Sequence, residues 1–402
     1  MDALWTTTSS SAIEPRNSWI SPFPRPGRLR YRRSCPKGPQ TESGVAGVYI
    51  GGADYGPAVP SGVSVSGARS RGVSPPARTP GVPAALLNPI DLTSEAIRAA
   101  HARIHPAFTG SRQYVHEGLS ARLGVPVIVK VETVNPIRSF KGRGTWVAVQ
   151  ALASEGTIGP DRPIVVASAG NFGQGVAYAA RPLGIETVVF TSRNANRGKI
   201  ARMRALGATV IEHGEDFDDA CAAAAIHARE RDAHLLVDGV DVRISTGAAT
   251  MALELTDAVA AGDLPALAMA SIPVGNGALI NGVGSWLRSA APACRVVGVG
   301  AAGAPAMTLS WRAGRPIDTD AVDTYADGIA SRVAVPEAVA LLEGRVDEMR
   351  LVDEAALHAA QDELDAELGL TVEGAAAASW AGVLAGPPPH GAVVLIITGT
   401  NV

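Results

Sequence analysis

From Asp91 onward the chain alternates two kinds of apolar stretch. One kind is short and continuous: VPVIVKVE at 125–132, PIVVAS at 163–168, ETVVFTS at 186–192, TVIEHG at 209–214, LAMASIPV at 267–274, RVVGVGA at 295–301 and AVVLIITG at 392–399. Runs of Val and Ile with few polar positions are the pattern of strands covered on both faces. The other kind carries apolar residues at helical spacing. Thr93 or Ser94 caps a predicted helix to about Ile104, and further helices are expected over GQGVAYAARPLG, over RGKIARMRALG, through Ala225, from about Ala248 to Ala261 and from Ala278 to about Arg288. Strand and helix in alternation predict an α/β fold of parallel strands with helices on both faces.

Before this pattern begins, residues 1–86 are rich in Ser, Pro, Gly and Arg, as in PFPRPGRLRYRRSCPKGPQ, and keep neither period. They read as a disordered extension. A transit segment would share the Arg and Ser content but not the many prolines, and a mis-assigned start codon is the other reading, although the next methionine is Met203.

The 402 residues suffice for a large core and two or three structural units. A net charge of −3 with 18% charged residues gives no basic field for nucleic acid, so small molecules are the expected partners. Every apolar run is broken before about 18 residues, which predicts no membrane span. Cys35, Cys221 and Cys294 are widely separated, with neither metal-ligand nor disulfide-framework spacing, as expected in a reducing cytoplasm.

Three strings carry chemistry. SFKGRG places Lys141 after one buried strand; SAGNFGQG at 168–175 and PVGNGALING at 273–282 each follow another and open a helix. A lysine amine condenses with aldehydes, and the N–H groups of glycine-rich turns at helix starts bind anions. Together they suggest a phosphate-bearing carbonyl cofactor, for which pyridoxal 5'-phosphate is the natural candidate. Each alone is weak: a lysine is usually a surface charge, and a glycine string usually a tight turn.

At the level of whole strings, roughly residues 87–402 resemble the fold-type II pyridoxal-phosphate enzymes, the tryptophan synthase β-like fold, and within them the serine/threonine dehydratases. The resemblance implies two interleaved parallel-sheet lobes: a large cofactor-binding lobe of 87–150 plus 242–402, and a small mobile lobe of 151–241 that closes over substrate. It implies that Lys141 links covalently to the cofactor and then acts as the base at Cα. It implies that Ser168, Ala169, Gly170 and Asn171 bind the substrate carboxylate, with the Asn171 amide also contacting the cofactor's phenolic oxygen. Gly275, Asn276, Gly277, Ala278 and Leu279 would cup the phosphate, and Thr398 in TGTNV would bond the pyridine nitrogen. The weaker strings ADGIA at 326–330 and TVEGAAAAS at 371–379 resemble the same subgroup; Glu373 reads either as part of the site or as a structural helix-start carboxylate.

The chain also departs from the pattern. Phe172 stands where many relatives carry histidine, and Gly275-Asn276-Gly277-Ala278 replaces four glycines. Asn tolerates positive φ and Ala adds one methyl, so a backbone cup survives. Gly300 replaces the glutamate with which some relatives bind a divalent cation, and His213, His227 and His358 lack ligand spacing, so no metal is expected. The reaction implied is β-elimination of L-threonine or L-serine to a 2-oxo acid and ammonia, by a homodimer. Two alternatives are replacement chemistry on a phosphorylated substrate, because PVGN resembles the loop of threonine synthases, and a cofactor-binding protein without turnover.

Overall fold

The computed structural model describes residues 92–402 apart from Pro388, so the expected extension over 1–86 lies outside the described residues. The chain enters through α1 (Ser94–His101), where Thr93 Oγ1 accepts the Ala96 N–H. This helix ends three residues before the expected Ile104, whose N–H still bonds back to Ala100 O within the closing turn. Then β1 (Gln113–Val115), α2 (Glu117–Leu123) and β2 (Val127–Val131) lead to α3 (Lys141–Ser154). A regular succession follows: β3 (Ile164–Ala167), α4 (Asn171–Ala180), β4 (Thr187–Thr191), α5 (Arg197–Ala205), β5 (Thr209–Glu212), α6 (Phe217–Glu230) and β6 (His234–Leu235). After it come α7 (Val242–Ala261), β7 (Leu267–Pro273), α8 (Ala278–Ala290), β8 (Arg295–Ala301), α9 (Ala306–Ala313), α10 (Pro336–Leu342), β9 (Glu348–Val352), α11 (Glu354–Leu368), α12 (Gly374–Leu384) and β10 (Ala392–Ile397).

Further helix limits differ from the sequence pattern. α7 starts six residues before Ala248 because Asp241 caps it, accepting the Arg243 N–H, and its polar first turn hides the start. α6 continues past Ala225 to Glu230. α4 begins at Asn171, two residues before the expected Gly173.

The strands form two sheets. The larger has the order β1-β2-β10-β7-β8-β9, parallel throughout except for the antiparallel β1 at its edge. The smaller, β5-β4-β3-β6, is wholly parallel. Every residue of β2, β4 and β10 is buried, as their continuous apolar runs require. Each fully buried Val, Leu or Ile contributes about 1.5–3 kcal/mol relative to exposure. The alanines of α12 bring that helix close under the larger sheet, where Trp380 fills the remaining space and Ser271 Oγ donates to Ser379 O.

Candidate active site

Parallel pairing brings the chemical strings together. β2, β10 and β7 are neighbours and point the same way, so the Lys141 loop, Thr398 and the Gly275 turn leave the same edge of the larger sheet. β3 and β6 are likewise adjacent and parallel, and they deliver Ser168 and Asp238 to the carboxyl edge of the smaller sheet. Ligands of open α/β sheets sit in crevices at such edges.

The loop before Lys141 is shaped by Asn135. Its Oδ1 accepts the Ile137 and Ser139 N–H groups, and its Nδ2 donates to Glu132 O and Ser139 O. The Phe140 N–H donates to Thr398 O at 3.0 Å, tying the lysine loop to the end of β10. Lys141 is then the first residue of α3, and its Nζ lies 2.6 Å from Asp238 Oδ2 and over the rings of Phe140 and Phe172.

Two residues further along the first turn of α3, Arg143 is fully buried. Its guanidinium donates to both oxygens of Glu132 and of Glu254, to Thr250 Oγ1 and to Ser111 Oγ. Lys130, in β2, completes this cluster with Nζ 2.7 Å from Glu254 Oε2. Burial alone would discharge these groups. It pulls Lys130 below its ordinary range, but Glu254, against the same burial, is held at about 2 by Arg143 and Lys130. The cluster ties β2, α3 and α7 together and so fixes where α3 presents Lys141.

After β3, the buried Ser168 Oγ accepts the N–H groups of Gly170 and Gly173, which bends the chain into α4. Ser168 therefore has only its hydroxyl proton to offer a ligand. Asn171 donates through Nδ2 to both oxygens of Glu373 and accepts from Asn401 Nδ2 at 2.8 Å. Glu373 also accepts the Asn401 N–H and lies 3.8 Å from Lys199 Nζ. Burial pushes its carboxyl above the ordinary range, against the pull of Lys199. Glu373 stands at the N-cap of α12, where its side chain makes no capping bond, and it lines the cavity.

The turn between β7 and α8 is held by backbone contacts. Gly277 has φ +92°, a conformation that only glycine adopts freely, and a Cβ on Gly275 would lie 2.5 Å from Gly328 O. α8 starts at Ala278 with no side-chain cap, which leaves its first N–H groups to an anion. Asn276 Oδ1 accepts from Ser331 Oγ at 2.7 Å.

Lys141, Ser168, Ala169, Gly170, Asn171, Gly275, Asn276, Gly277, Ala278, Leu279 and Thr398 all line one cavity of about 730 Å³. Sequence reasoning missed Asp238, Lys199 and Asn401, and gave Asp327 no role within ADGIA. Lys199 Nζ pairs with Asp327 Oδ2 at 2.6 Å across the cavity. Its one signal was indirect: a buried lysine needs a carboxylate, and ADGIA supplies one. Nothing in the string VDGVD marks Asp238. At the rim Arg332 meets Asp216 and Asp218, and burial pushes the Asp218 carboxyl up to about 6 despite Arg332.

Known proteins share this chain's sequence pattern and fold. The sequence pattern of the family described as pyridoxal-phosphate dependent enzyme matches residues 114–399. The chain is 36% identical over 312 residues to the L-threonine dehydratase biosynthetic IlvA of Mycobacterium leprae, covering 76% of this chain and 71% of that one. It is 35% identical over 286 residues to the L-threonine ammonia-lyase of Thermotoga maritima, covering 71% and 69% respectively. The crystal structure of the threonine deaminase of T.th. superposes with a TM-score of 0.70 at 28% identity, over 77% of this chain and 98% of that one. With most of its described residues matched, and a lysine and a glycine cup meeting in one cavity, the chain belongs to the family of pyridoxal-phosphate dependent enzymes.

Proposed function

We propose that the protein is a lyase that eliminates the β-hydroxyl of L-threonine, L-serine or both, releasing a 2-oxo acid and ammonia. The observation that carries this reading is the meeting of Lys141, the Ser168–Asn171 turn and the glycine cup in one cavity. These residues fit pyridoxal phosphate. The uncapped start of α8 offers N–H groups to the phosphate, the Gly275 turn leaves no room for a side chain, and Lys141 supplies the amine.

When bound, the cofactor supplies an aldehyde that links to the substrate amine and a conjugated ring that draws electrons from Cα. The remaining work falls to the protein. Gly275 to Leu279 would hold the phosphate, and the Thr398 hydroxyl the ring nitrogen, as a neutral partner that leaves the ring a modest electron sink. The Ser168 hydroxyl and the N–H groups of Ala169 and Asn171 would grip the substrate carboxylate at the positive end of α4. Lys141 would take the Cα proton as general base. Asn171–Glu373, Lys199–Asp327 and Arg332–Asp216 join 151–241 to the rest across the cavity. We infer that these links form as the small lobe closes and exclude water.

Among the described residues lining the cavity the cations are Lys141 and Lys199, each held by an aspartate. A phosphorylated substrate, required by replacement chemistry, finds no free basic side chain there. Among the described residues no helix is long and apolar enough to cross a membrane. We propose that the enzyme works as a cytoplasmic homodimer; light scattering of the purified protein checks the dimer.

The test is 2-oxo acid release from L-threonine and L-serine by protein supplied with pyridoxal phosphate, beside Lys141→Ala. Turnover that disappears in the variant is expected. Cofactor binding with no 2-oxo acid from either substrate would overturn the assignment.

A further inference from the structure

Asp238 is the one carboxylate that touches Lys141 among the described residues, with 2.6 Å between Oδ2 and Nζ. Its other oxygen, Oδ1, is buried without a hydrogen-bond partner. The residue is not placed there by chance packing. Gly239 follows it with φ +91°, and a Cβ at Gly239 would lie 2.5 Å from Asn276 O, so the loop after β6 is pressed against the turn before α8. A half-satisfied buried carboxylate aimed at a lysine is costly unless its charge is used.

The other charged groups of the cavity are engaged elsewhere. Lys199 pairs with Asp327, Glu373 accepts from Asn171 and Asn401, Asp216 and Asp218 meet Arg332, and Glu215 meets Arg193. The rings of Phe140 and Phe172 also favour a cation at Nζ, at 4.8 Å and 5.8 Å. Asp238 is therefore the charged group of the cavity that restrains Lys141 Nζ.

We propose that Asp238 is a positioning residue that holds Lys141 Nζ in this ion pair, so that covalent capture of the cofactor is gated by opening of the pair. The inference rests on the reading that Lys141 carries the cofactor. For capture, Nζ gives up a proton to solvent, its lone pair adds to the aldehyde carbon and one water leaves. Asp238 must release Nζ before the lone pair can reach the aldehyde carbon. The same contact keeps the freed amine in place to accept the substrate Cα proton.

The experiment follows the absorbance change as cofactor-free protein takes up pyridoxal phosphate, at several pH values from near neutral upward. Wild type, Asp238→Asn, Asp238→Ala and Lys141→Ala are compared. Removing a carboxylate so close to the amine should speed capture at least about tenfold near neutral pH. Asp238→Glu should restore much of the wild-type profile. Asp238→Ala provides a second removal of the charge should the Asn variant fold poorly. Equal rates and superimposable profiles in wild type and both charge-removing variants would overturn the role of Asp238 while leaving Lys141 as the attachment point. Capture that persists in Lys141→Ala, or that is missing in wild type, would overturn the functional reading and this inference with it.

Discussion

Replacing Arg143 with Met tests whether the buried charges beneath the lysine loop hold the fold. The guanidinium makes six hydrogen bonds, four of them to Glu132 and Glu254. With Lys130, the cluster contains two cations and two carboxylates, all buried or nearly so. Methionine fills similar space but leaves two carboxylates facing one ammonium. Removing one partner of a buried ion pair costs about 3–5 kcal/mol. The depression of Glu254 from 4.5 to about 2 gives an independent figure of about 3 kcal/mol for the cations that hold it ionised.

The pH dependence supplies a second criterion. A carboxyl with a depressed folded value stabilises the protein above its ordinary range and loses that contribution as pH falls from about 4.5 through 2. Wild type should therefore draw full benefit from Glu254 at pH 7 and most of it at pH 5. In Arg143→Met a carboxylate is left short of a partner and gains by protonation, so the deficit should shrink between about pH 7 and pH 5. Urea unfolding followed by circular dichroism and tryptophan fluorescence measures both. Arg143→Lys keeps the charge but loses the fork, and should cost about 1–3 kcal/mol. A deficit below about 1 kcal/mol for Arg143→Met, unchanged between the two conditions, would refute the reasoning.

Gly247→Ala should destabilise by about 1–3 kcal/mol and loosen cofactor binding, because its Cβ would lie 2.6 Å from Arg143 O and from Gly144 Cα and push α7 away from α3; calorimetry with and without cofactor separates the two effects. Asp218 has the opposite sign to Glu254. Its folded value is raised from 3.8 to about 6, so its contribution is present below its ordinary range and lost as pH rises through 6, leaving a cost of about 3 kcal/mol above that. Asp218→Asn should accordingly raise the melting temperature at about pH 8 and give no gain at about pH 4; a gain of equal size at both would contradict it.

The strands and the three chemical strings were legible because each depends on local pattern. Continuous apolar runs of this length, broken by turn residues, read as covered strands, and a glycine turn between strand and helix announces an anion cup wherever the two elements pack. Helix starts were less legible. α7 opens on VRISTG, whose polar side chains hide six helical residues, and only the Asp241 cap shows the true start. The partners of charged groups were the least legible. Asp238 lies 97 residues from Lys141 and Asp327 lies 128 from Lys199, and these distances are closed by sheet topology rather than by any local string. Phe172 gains meaning only from the fold, which sets its ring beside Lys141 Nζ.

Lys141 and Arg143 stand two residues apart, yet the structure treats their charges in opposite ways. Arg143 is sealed from solvent between two carboxylates, with every oxygen of both engaged by its guanidinium. Such a group has nothing left to give to a ligand, and its value lies in fixing the backbone of the first turn of α3. Lys141 keeps some exposure, meets a single carboxylate through one oxygen, and leaves the other oxygen unanswered. A fully satisfied charge resists change, whereas a half-satisfied one can exchange its partner for a ligand at modest cost. Nearby positions on one helix thus divide the work: the buried arginine makes the frame rigid, and the incompletely paired lysine stays free to react within it.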